Sequence, residues 1–319
     1  MELFNPNAKI DFMRMGRVTI VVSLVLLVIA LVSLATRGLN LALDFTGGTL
    51  IEVNFEQATD TGSVRKALQA GGFEQSVVQS LGNPRDYAIR LAPEVGALQP
   101  DGEDGVQQTL EERIQAALLP SGEVTVKPAE YVGPQVGREL VNQGMIAVLV
   151  VALGIMAFVW LRFETWKFGL AAVACDLHDV LIVVGCFSLF QWEFDLTVLA
   201  AILAIVGYSI NDTIVVFDRI RETFRSAHKM STDEVLNKAI NTTLSRTTVT
   251  ALTTFLTVVA LFFLGGPAVH NFARALIIGI ALGTLSSIFF ASPLLRLART
   301  TKHDLLPRAR DELALDRRP

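Results

Sequence analysis

Several ionisable side chains stand inside apolar stretches of this chain, where they are costly to keep. Asp176, His178 and Asp179 lie near the middle of one apolar run, and Asn211 and Asp212 lie toward the end of the next. A charged group at the centre of a bilayer costs about 2.5–3.5 kcal/mol on insertion scales, so such residues usually face a polar interior and mark ion pathways. The pattern therefore predicts proton handling rather than covalent catalysis.

Two cations follow the second of these runs. Arg219 and Arg221 come within a few helical turns of Asp212, and an antiparallel pair of helices could join them to Asp179 in one network. Burial opposes the ionised form of a carboxylate, whereas a nearby guanidinium favours it, so the combination keeps a carboxylate able to take up and release protons. The predicted proton pathway comprises Asp176, His178, Asp179, Asn211, Asp212, Arg219 and Arg221.

His178 between two aspartates also raises the question of a metal site. Successive side chains of a helix point about 100° apart, so Asp179 cannot easily share an ion with His178, and Asp176 points in the direction of Asp179 instead. A metal is therefore disfavoured, and we predict no metal and no cofactor. A buried neutral histidine and a proton-handling histidine both stay open.

The composition of the chain indicates that its surroundings are lipid. Its 319 residues are 51% hydrophobic and 18% charged, and the mean hydropathy is +0.48. Runs long enough to cross a bilayer occur at residues 18–35, 140–161, 168–190, 196–217, 247–264 and 275–295. The net charge of −4 and the absence of a basic run with interleaved aromatic residues exclude nucleic acid as an expected partner.

Lys and Arg gather before the first run, between the second and third, after the fourth, and in the tail, which places these segments on the cytoplasmic side. The predicted organisation is a cytoplasmic N-terminus at 1–17, a first span at 18–36, a periplasmic domain at 37–138, five spans at 139–297 and a cytoplasmic tail at 298–319. A cleaved signal peptide is the alternative for the first run, but its length and the lack of a small-x-small site favour an anchor.

The segment outside the membrane alternates short apolar runs with Gly, Pro and Asn. We expect strands at 49–55, 76–81, 87–91 and 123–128, with helices at 61–70 and about 105–118. This β-α-β-β-α-β order is typical of a ferredoxin-like α+β domain. The domain has no histidine and no catalytic constellation, so a binding or lever module is expected rather than an enzyme. Residues 100–105 are acidic and Gly-rich, and they predict a solvated loop rather than a calcium site.

Two further patterns lie in the last spans. Thr247, Thr250, Thr254 and Thr257 share one helical face and could either hold a file of waters or bond back to their own helix. Small residues at 279 and 283, followed by serines at 286 and 287, indicate a close-packing face.

The motifs that carry these residues resemble a known family. They are Leu-Asp-Phe-Thr-Gly-Gly-Thr at 43–49, residues 132–137, Leu-His-Asp at 177–179, the long stretch 207–222 and Gly-Gly-Pro at 265–267. They are similar to the SecD/SecF family of protein-export membrane proteins, and the similarity runs from about residue 5 to residue 298.

The resemblance implies half of a bundle of the resistance-nodulation-division type, made of six transmembrane helices, with a periplasmic ferredoxin-like domain. It implies a multi-pass protein of the bacterial inner membrane, in contact with membrane lipid, that forms a complex with SecD and docks on the SecYEG channel. The expected activity is proton-driven export of unfolded polypeptide, with Asp179 as the leading proton carrier and Arg219 or Arg221 as its partner. Asp176 departs from the family pattern, which has an apolar or small residue there.

Two other functions stay open. The chain could be half of a proton-driven small-molecule efflux transporter of the same superfamily, which would need a substrate-sized cleft in the outer domains. It could also be a passive scaffold whose buried acids are only structural.

Overall fold

The computed structural model describes residues 10–74, 76–92, 109–163, 165–226, 230–298 and 300. Along the chain its elements are α1 (Phe12–Arg37), β1 (Asn40–Leu41), α2 (Leu43–Thr46), β2 (Gly48–Phe55), α3 (Thr61–Ala70), β3 (Val77–Ser80), β4 (Asp86–Leu91), α4 (Leu110–Leu118), β5 (Val124–Val126), β6 (Glu130–Val132), α5 (Pro134–Phe163), α6 (Trp166–Phe190), β7 (Glu193–Phe194), α7 (Leu196–Ser226), α8 (Thr232–Leu264), α9 (His270–Ser286) and α10 (Ser292–Leu297). Short 3₁₀ turns follow α4 and precede α9, and a π-helical turn, Ser287–Ala291, joins α9 to α10.

Six helices of the described residues are long and apolar enough to cross a membrane, and each contains one predicted run. They are α1, α5, α6, α7, α8 and the continuous α9–α10 segment. The fifth differs most from its prediction, because it begins at Thr232 rather than at residue 247. A capping box fixes this early start: the Ser231 hydroxyl accepts from the amide of Glu234, and the Glu234 carboxylate accepts from the amide of Ser231.

Three of the six helices form the interior of the bundle. The most apolar windows of α6, α7 and α9–α10 are 61%, 44% and 50% buried, against 11%, 6% and 17% for α1, α5 and α8. Glycines allow the closest approaches. A Cβ at Gly185 of α6 would lie 2.2 Å from the Cβ of Ala30 in α1, and one at Gly279 of α9 would lie 2.3 Å from the Ile205 side chain of α7. The predicted close-packing face of the sixth span is therefore confirmed.

The segment between α1 and α5 forms the predicted β-α-β-β-α-β domain. Its antiparallel sheet has the strand order β3-β4-β2-β5, and β6 adds a second pairing along β2 that the sequence reasoning missed. The fully buried Ile51, Leu68, Ile89, Ile114 and Leu118 form the centre of its core, from strands and helices alike. The predicted loop at 100–105 and the start of the second helix at 105–108 lie outside the described residues, as does the tail beyond residue 300.

The chain divides into two compact units. One contains residues 40–146 together with the short segment 193–196 between α6 and α7, and the other contains the remaining helices. Residues 193–196 join the outer domain because β7 pairs in parallel with β1, with Asn40 opposite Glu193 and Leu41 opposite Phe194. The apolar runs at 168–190 and 196–217 predicted only a short connection between two spans there.

The close contact between Gly185 and Ala30 leads to a prediction about the stability of the folded chain. Gly185→Ala should lower the unfolding free energy of the detergent-solubilised chain by about 1–3 kcal/mol, because the added methyl overpacks a backbone contact. Gly154→Ala in α5 is the matched control, since no atom lies within 4 Å of its added Cβ. Thermal unfolding should show a lower Tm for the first variant only. Equal Tm values for both would contradict the packing described above.

Candidate functional site

Asp179 is the centre of a buried polar cluster in the bundle. It is completely buried, and its Oδ2 accepts hydrogen bonds from Ser209 of α7 at 3.1 Å and Ser286 of α9 at 2.6 Å. The three inner helices therefore meet at one carboxylate. Asp179 lies 13 residues after Trp166 and 11 before Phe190, which puts it about 17–20 Å from either end of α6. This position is the middle of a membrane-crossing helix.

His178 contacts the same carboxylate, contrary to the helical-direction argument made from the sequence. Its Nδ1 lies 2.9 Å from Asp179 Oδ1, and its ring stacks on Phe290 in the π turn with the ring centroids 4.3 Å apart. Its Nε2 is buried without a hydrogen-bond partner among the described residues. The Cα–Cβ bonds of His178 and Asp179 diverge, but rotation about their side-chain bonds brings the imidazole ring and the carboxylate together. Within the described residues, no group of three or more His, Cys, Asp or Glu side chains is placed to hold a metal.

Asp176 lies one turn before Asp179 and is 6% exposed. Neither of its carboxylate oxygens has a hydrogen-bond partner among the described residues, and it interacts electrostatically with Asp179. Two carboxylates this close are poorly tolerated when both are ionised. Asp176 is therefore the member of the acid cluster with the weaker hydrogen-bond support, since Ser209 interacts with it but bonds Asp179.

Asp212 forms a second buried acidic position and interacts electrostatically with Arg246 of α8. Asp212 lies 16 residues from the start of α7, and Arg246 lies 18 residues from the end of α8. Counted from these two ends, both lie at similar depth, about 24–27 Å along antiparallel helices. The predicted fifth run begins at residue 247, which left Arg246 in the basic segment after the fourth run. The signal that could have found it is the Ser231-x-x-Glu234 capping box, which begins α8 well before Arg246.

The other predicted pathway residues do not join the Asp179 cluster. Arg219 pairs with Glu222 at 2.6 Å, and Arg221 donates to the carbonyl oxygen of Arg162 at 3.0 Å. Both lie at least ten residues beyond Ser209 along α7, about 15 Å or more away. Asn211 is exposed on the surface of this chain. The structure thus brings together Asp176, His178 and Asp179, sets Asp212 apart with Arg246, and leaves neither Arg219 nor Arg221 beside Asp179.

The threonine stripe of α8 is divided between its two interpretations. Thr254 and Thr257 donate to carbonyls of their own helix at 3.0 Å each. Thr247 is 1% exposed and its hydroxyl has no partner among the described residues. Back-bonding therefore accounts for two of the four hydroxyls and does not account for Thr247.

The motif at residues 43–49 has a specific structural role in the outer unit. Asp44 Oδ2 accepts from the amide of Leu196, the first residue of α7, at 3.1 Å. Amides of a first helical turn have no partner within the helix, so Asp44 caps α7 from a distant part of the chain. The Ala42 amide donates to Phe194 at 2.9 Å, and Phe45 contacts Phe194 with ring centroids 5.9 Å apart. Gly47 and Gly48, at φ values of 70° and 130°, make the turn that follows.

A second tie links β4 to the same short segment. Arg90 forms an ion pair with Glu193, and the two side chains are only 14% and 19% exposed. Burial lowers the pKa of Arg90, and the nearby carboxylates of Asp44 and Asp195 oppose that shift. Three acidic side chains therefore stabilise one partly buried guanidinium where the sheet meets residues 193–196.

These features define a class of protein: a six-span membrane bundle with buried acids in its inner helices and a ferredoxin-like domain inserted after the first span. The sequence matches the family described as protein export membrane protein SecD/SecF, C-terminal, over residues 114–301 and the SecD/SecF GG motif over residues 32–59. The chain belongs to the SecD/SecF family, and the relatives that it matches along nearly their whole length are SecF subunits.

Individual relatives agree with this assignment. The chain is 45% identical to the protein translocase subunit SecF of Pseudomonas aeruginosa over 97% of this chain and 98% of that one. It is 38% identical to the subunit of the same name from Escherichia coli O157:H7, over 98% and 95%. The crystal structure of SecDF, a translocon-associated membrane protein from Thermus thermophilus, superposes with a TM-score of 0.81 at 36% identity. That match covers 93% of this chain but only 40% of the SecDF chain. The predicted family, fold class and role in the Sec translocase are confirmed.

The different surroundings of the two neighbouring acids predict that their substitution has different effects on stability. Asp179→Ala should lower the unfolding free energy by about 1–3 kcal/mol or more, because Ser209, Ser286 and His178 lose their shared acceptor. Asp176→Ala should leave the Tm unchanged or raise it, because it removes a buried carboxylate without partners. Thermal unfolding in detergent measures both. A loss of stability for Asp176→Ala equal to that for Asp179→Ala would contradict this assignment.

The Arg90–Glu193 pair should show measurable coupling. In a double-mutant cycle with Arg90→Gln and Glu193→Gln, hydrogen exchange of β2 and β4 amides in the intact chain should give a coupling energy of about 1–2 kcal/mol. Lys127 and Glu52 provide the matched control, because that pair is 60% and 40% exposed and exposed pairs contribute about 0.2–1 kcal/mol. Indistinguishable coupling in the two pairs would show that the burial of Arg90 adds nothing.

Proposed function

We propose that this chain couples the proton-motive force to late steps of polypeptide export across the bacterial inner membrane, as a SecF subunit acting with SecD on the SecYEG translocon. The observation that carries the proposal is the Asp179 carboxylate, fully buried at mid-span and bonded from two other helices. A structural acid is not needed to hold three apolar helices together, since small residues already pack them closely. A role in taking up and releasing protons at this depth would explain why an acid is present at position 179.

The membrane potential can act on such a route. One elementary charge crossing 100 mV is worth about 2.3 kcal/mol. In the proposed cycle, Asp179 and Asp176 exchange protons in the centre of the bundle, and Asp212 beside Arg246 accepts or releases them nearer the other end of α7. Arg246 favours the charged form of Asp212 when the two approach. A change in their separation would then alter the tendency of Asp212 to hold its proton.

In the proposed mechanical step, force passes through residues 193–196, which are held by contacts with Asp44 and Arg90. Residues 193–196 are covalently continuous with α7, which carries Ser209 and Asp212. A force on the outer domain is thereby transmitted to the helix of the proton site through its capped first turn. In this proposal the outer domain contacts the exported, unfolded polypeptide, and proton movement resets its position.

A partner subunit is part of the proposal. Asn211 lies midway along α7 and Arg246 lies within α8, and both side chains are exposed on this chain. Polar groups at membrane depth are unfavourable against lipid tails, so they call for a polar partner surface. Pairing with the six further spans of SecD would cover them, consistent with a chain that spans 40% of SecDF. The proposed orientation has both termini in the cytoplasm, and the subunit is proposed to have no enzymatic activity.

Neutralising Asp179 tests the coupling. Asp179→Asn keeps the shape of the side chain and an acceptor for one serine, so the subunit should insert and assemble. Export into membrane vesicles with an imposed proton gradient should lose most of its gradient-dependent stimulation, and export without a gradient should not change. Arg246→Met should give the same pattern by altering Asp212. Full gradient-dependent export by Asp179→Asn would refute the coupling and favour the scaffold.

Two controls separate this result from other causes. The Glu52→Gln variant removes one charge of the exposed Lys127–Glu52 pair in the ferredoxin-like domain. A translocase with this variant should export normally. Recovery after mild detergent extraction distinguishes the alternatives, since co-purification with SecD and the channel supports export. A homo-oligomer that takes up dyes would instead indicate efflux.

A further inference from the structure

The bundle contains a large basic cavity at the C-terminal end of α7. It has a volume of about 880 Å³ and lies between the C-terminal ends of α5 and α7 and the first half of α8. The arginines that line it are Arg162, Arg219, Arg221, Arg225 and Arg246. A volume of this size accommodates a small organic ligand or a lipid headgroup.

The charges that line this cavity do not balance. Two carboxylates face it, and each is already paired: Asp218 lies 2.8 Å from Arg162, and Glu222 lies 2.6 Å from Arg219. Five guanidinium groups line the cavity with two carboxylates, and Asp212 offsets the charge of Arg246, so an excess of two positive charges remains. Like charges held this close repel one another, so a bound anion would stabilise the arrangement.

Arg225 is an exposed arginine of this cavity and is accessible to an anion. Its side chain lines the cavity and forms no hydrogen bond or ion pair with any other described residue. Ser226 and Thr242 add hydroxyl groups to the same wall. Guanidinium groups bind phosphate oxygens through two parallel hydrogen bonds, which a lysine or a single hydroxyl cannot reproduce.

We propose that this cavity is a binding site for a phosphate group, in particular the phosphodiester of an anionic lipid or a soluble phosphate. Basic cavities between transmembrane helices on the cytoplasmic side suit lipid headgroups, and the distribution of Lys and Arg along the sequence predicts that side for this end of α7. Arg225 is the anion contact whose charge is not otherwise engaged, with Arg162 and Arg221 beside it. The site does not depend on the proposed export function, because it is defined by charge and volume alone.

Binding can be tested on the full chain purified in detergent. Thermal unfolding is measured while adding dihexanoyl-phosphatidylglycerol, dihexanoyl-phosphatidylcholine, or sodium phosphate, with sodium chloride at equal ionic strength as the reference. A ligand that binds only the folded chain raises the Tm, and above Kd the stabilisation grows with the logarithm of the ligand concentration. We expect phosphatidylglycerol to raise the Tm, and phosphatidylcholine and chloride to leave it unchanged.

Variants assign the effect to the cavity. Arg225→Gln should weaken phosphatidylglycerol binding about tenfold, the loss expected for one charge-assisted hydrogen-bonded contact, and Arg225→Lys should restore part of it. Arg17→Gln is the matched control, because Arg17 is exposed near the start of α1 and does not line the cavity. Its binding should equal that of the unmodified chain.

The pattern of results decides between sources and against the proposal. A response to phosphatidylglycerol alone identifies a lipid headgroup, and an equal response to sodium phosphate identifies a soluble ligand. If neither raises the Tm, or if Arg225→Gln responds as strongly as the unmodified chain, the phosphate site is refuted. In that event the basic cavity would be left as a surface for an acidic segment of a protein partner.

Discussion

A carboxylate buried at mid-span constrains everything packed around it. Asp179 needs donors, and the chain provides them from Ser209 and Ser286 on two other helices. Those hydroxyls reach it only because the backbones are close. At Gly283 a Cβ would lie 3.2 Å from Ser209 and 3.7 Å from Asp179 Oδ2, so a larger residue there would push the helices apart. The small residues of α9 therefore let the helices approach closely enough for the polar cluster around Asp179 to form.

The features that follow from local periodicity could be predicted from the sequence. Continuous apolar runs gave all six spans, and alternating short runs gave the strand and helix order of the outer domain, including the bounds of α3. The sites of chemistry were harder. Asp176 and Asp179 are recognisable because charge is rare in such runs, yet the donors to Asp179 are serines, which occur in transmembrane helices for several reasons.

Arg246 illustrates why the partner of Asp212 was missed. Hydropathy places the start of the fifth span at residue 247, since polar residues dilute everything before it, but helical structure begins at Thr232. The polar first turns of α8 pack against the start of α1, where Asn237 accepts from the Met13 amide and Asn241 from that of Ile10. These contacts join residues more than 200 positions apart, and no local pattern predicts them. The same is true of Asp44, whose role depends on a helix that begins 152 residues later.

The short connection between α6 and α7 has a consequence for how strain would be distributed in the bundle. Asp179 and Ser209 lie on two helices joined only by residues 191–195, so a displacement of that connection carries both along as a hairpin. Their 3.1 Å hydrogen bond would be nearly unaffected. Ser286 belongs to α9, which is not part of that hairpin. Its 2.6 Å bond to Asp179 therefore joins the hairpin to a helix that would not move with it. Shear would therefore fall on this bond and on the 3.0 Å hydrogen bond between Thr213 of α7 and Ser287, the first residue of the π turn. The loosened backbone of that turn can accommodate it.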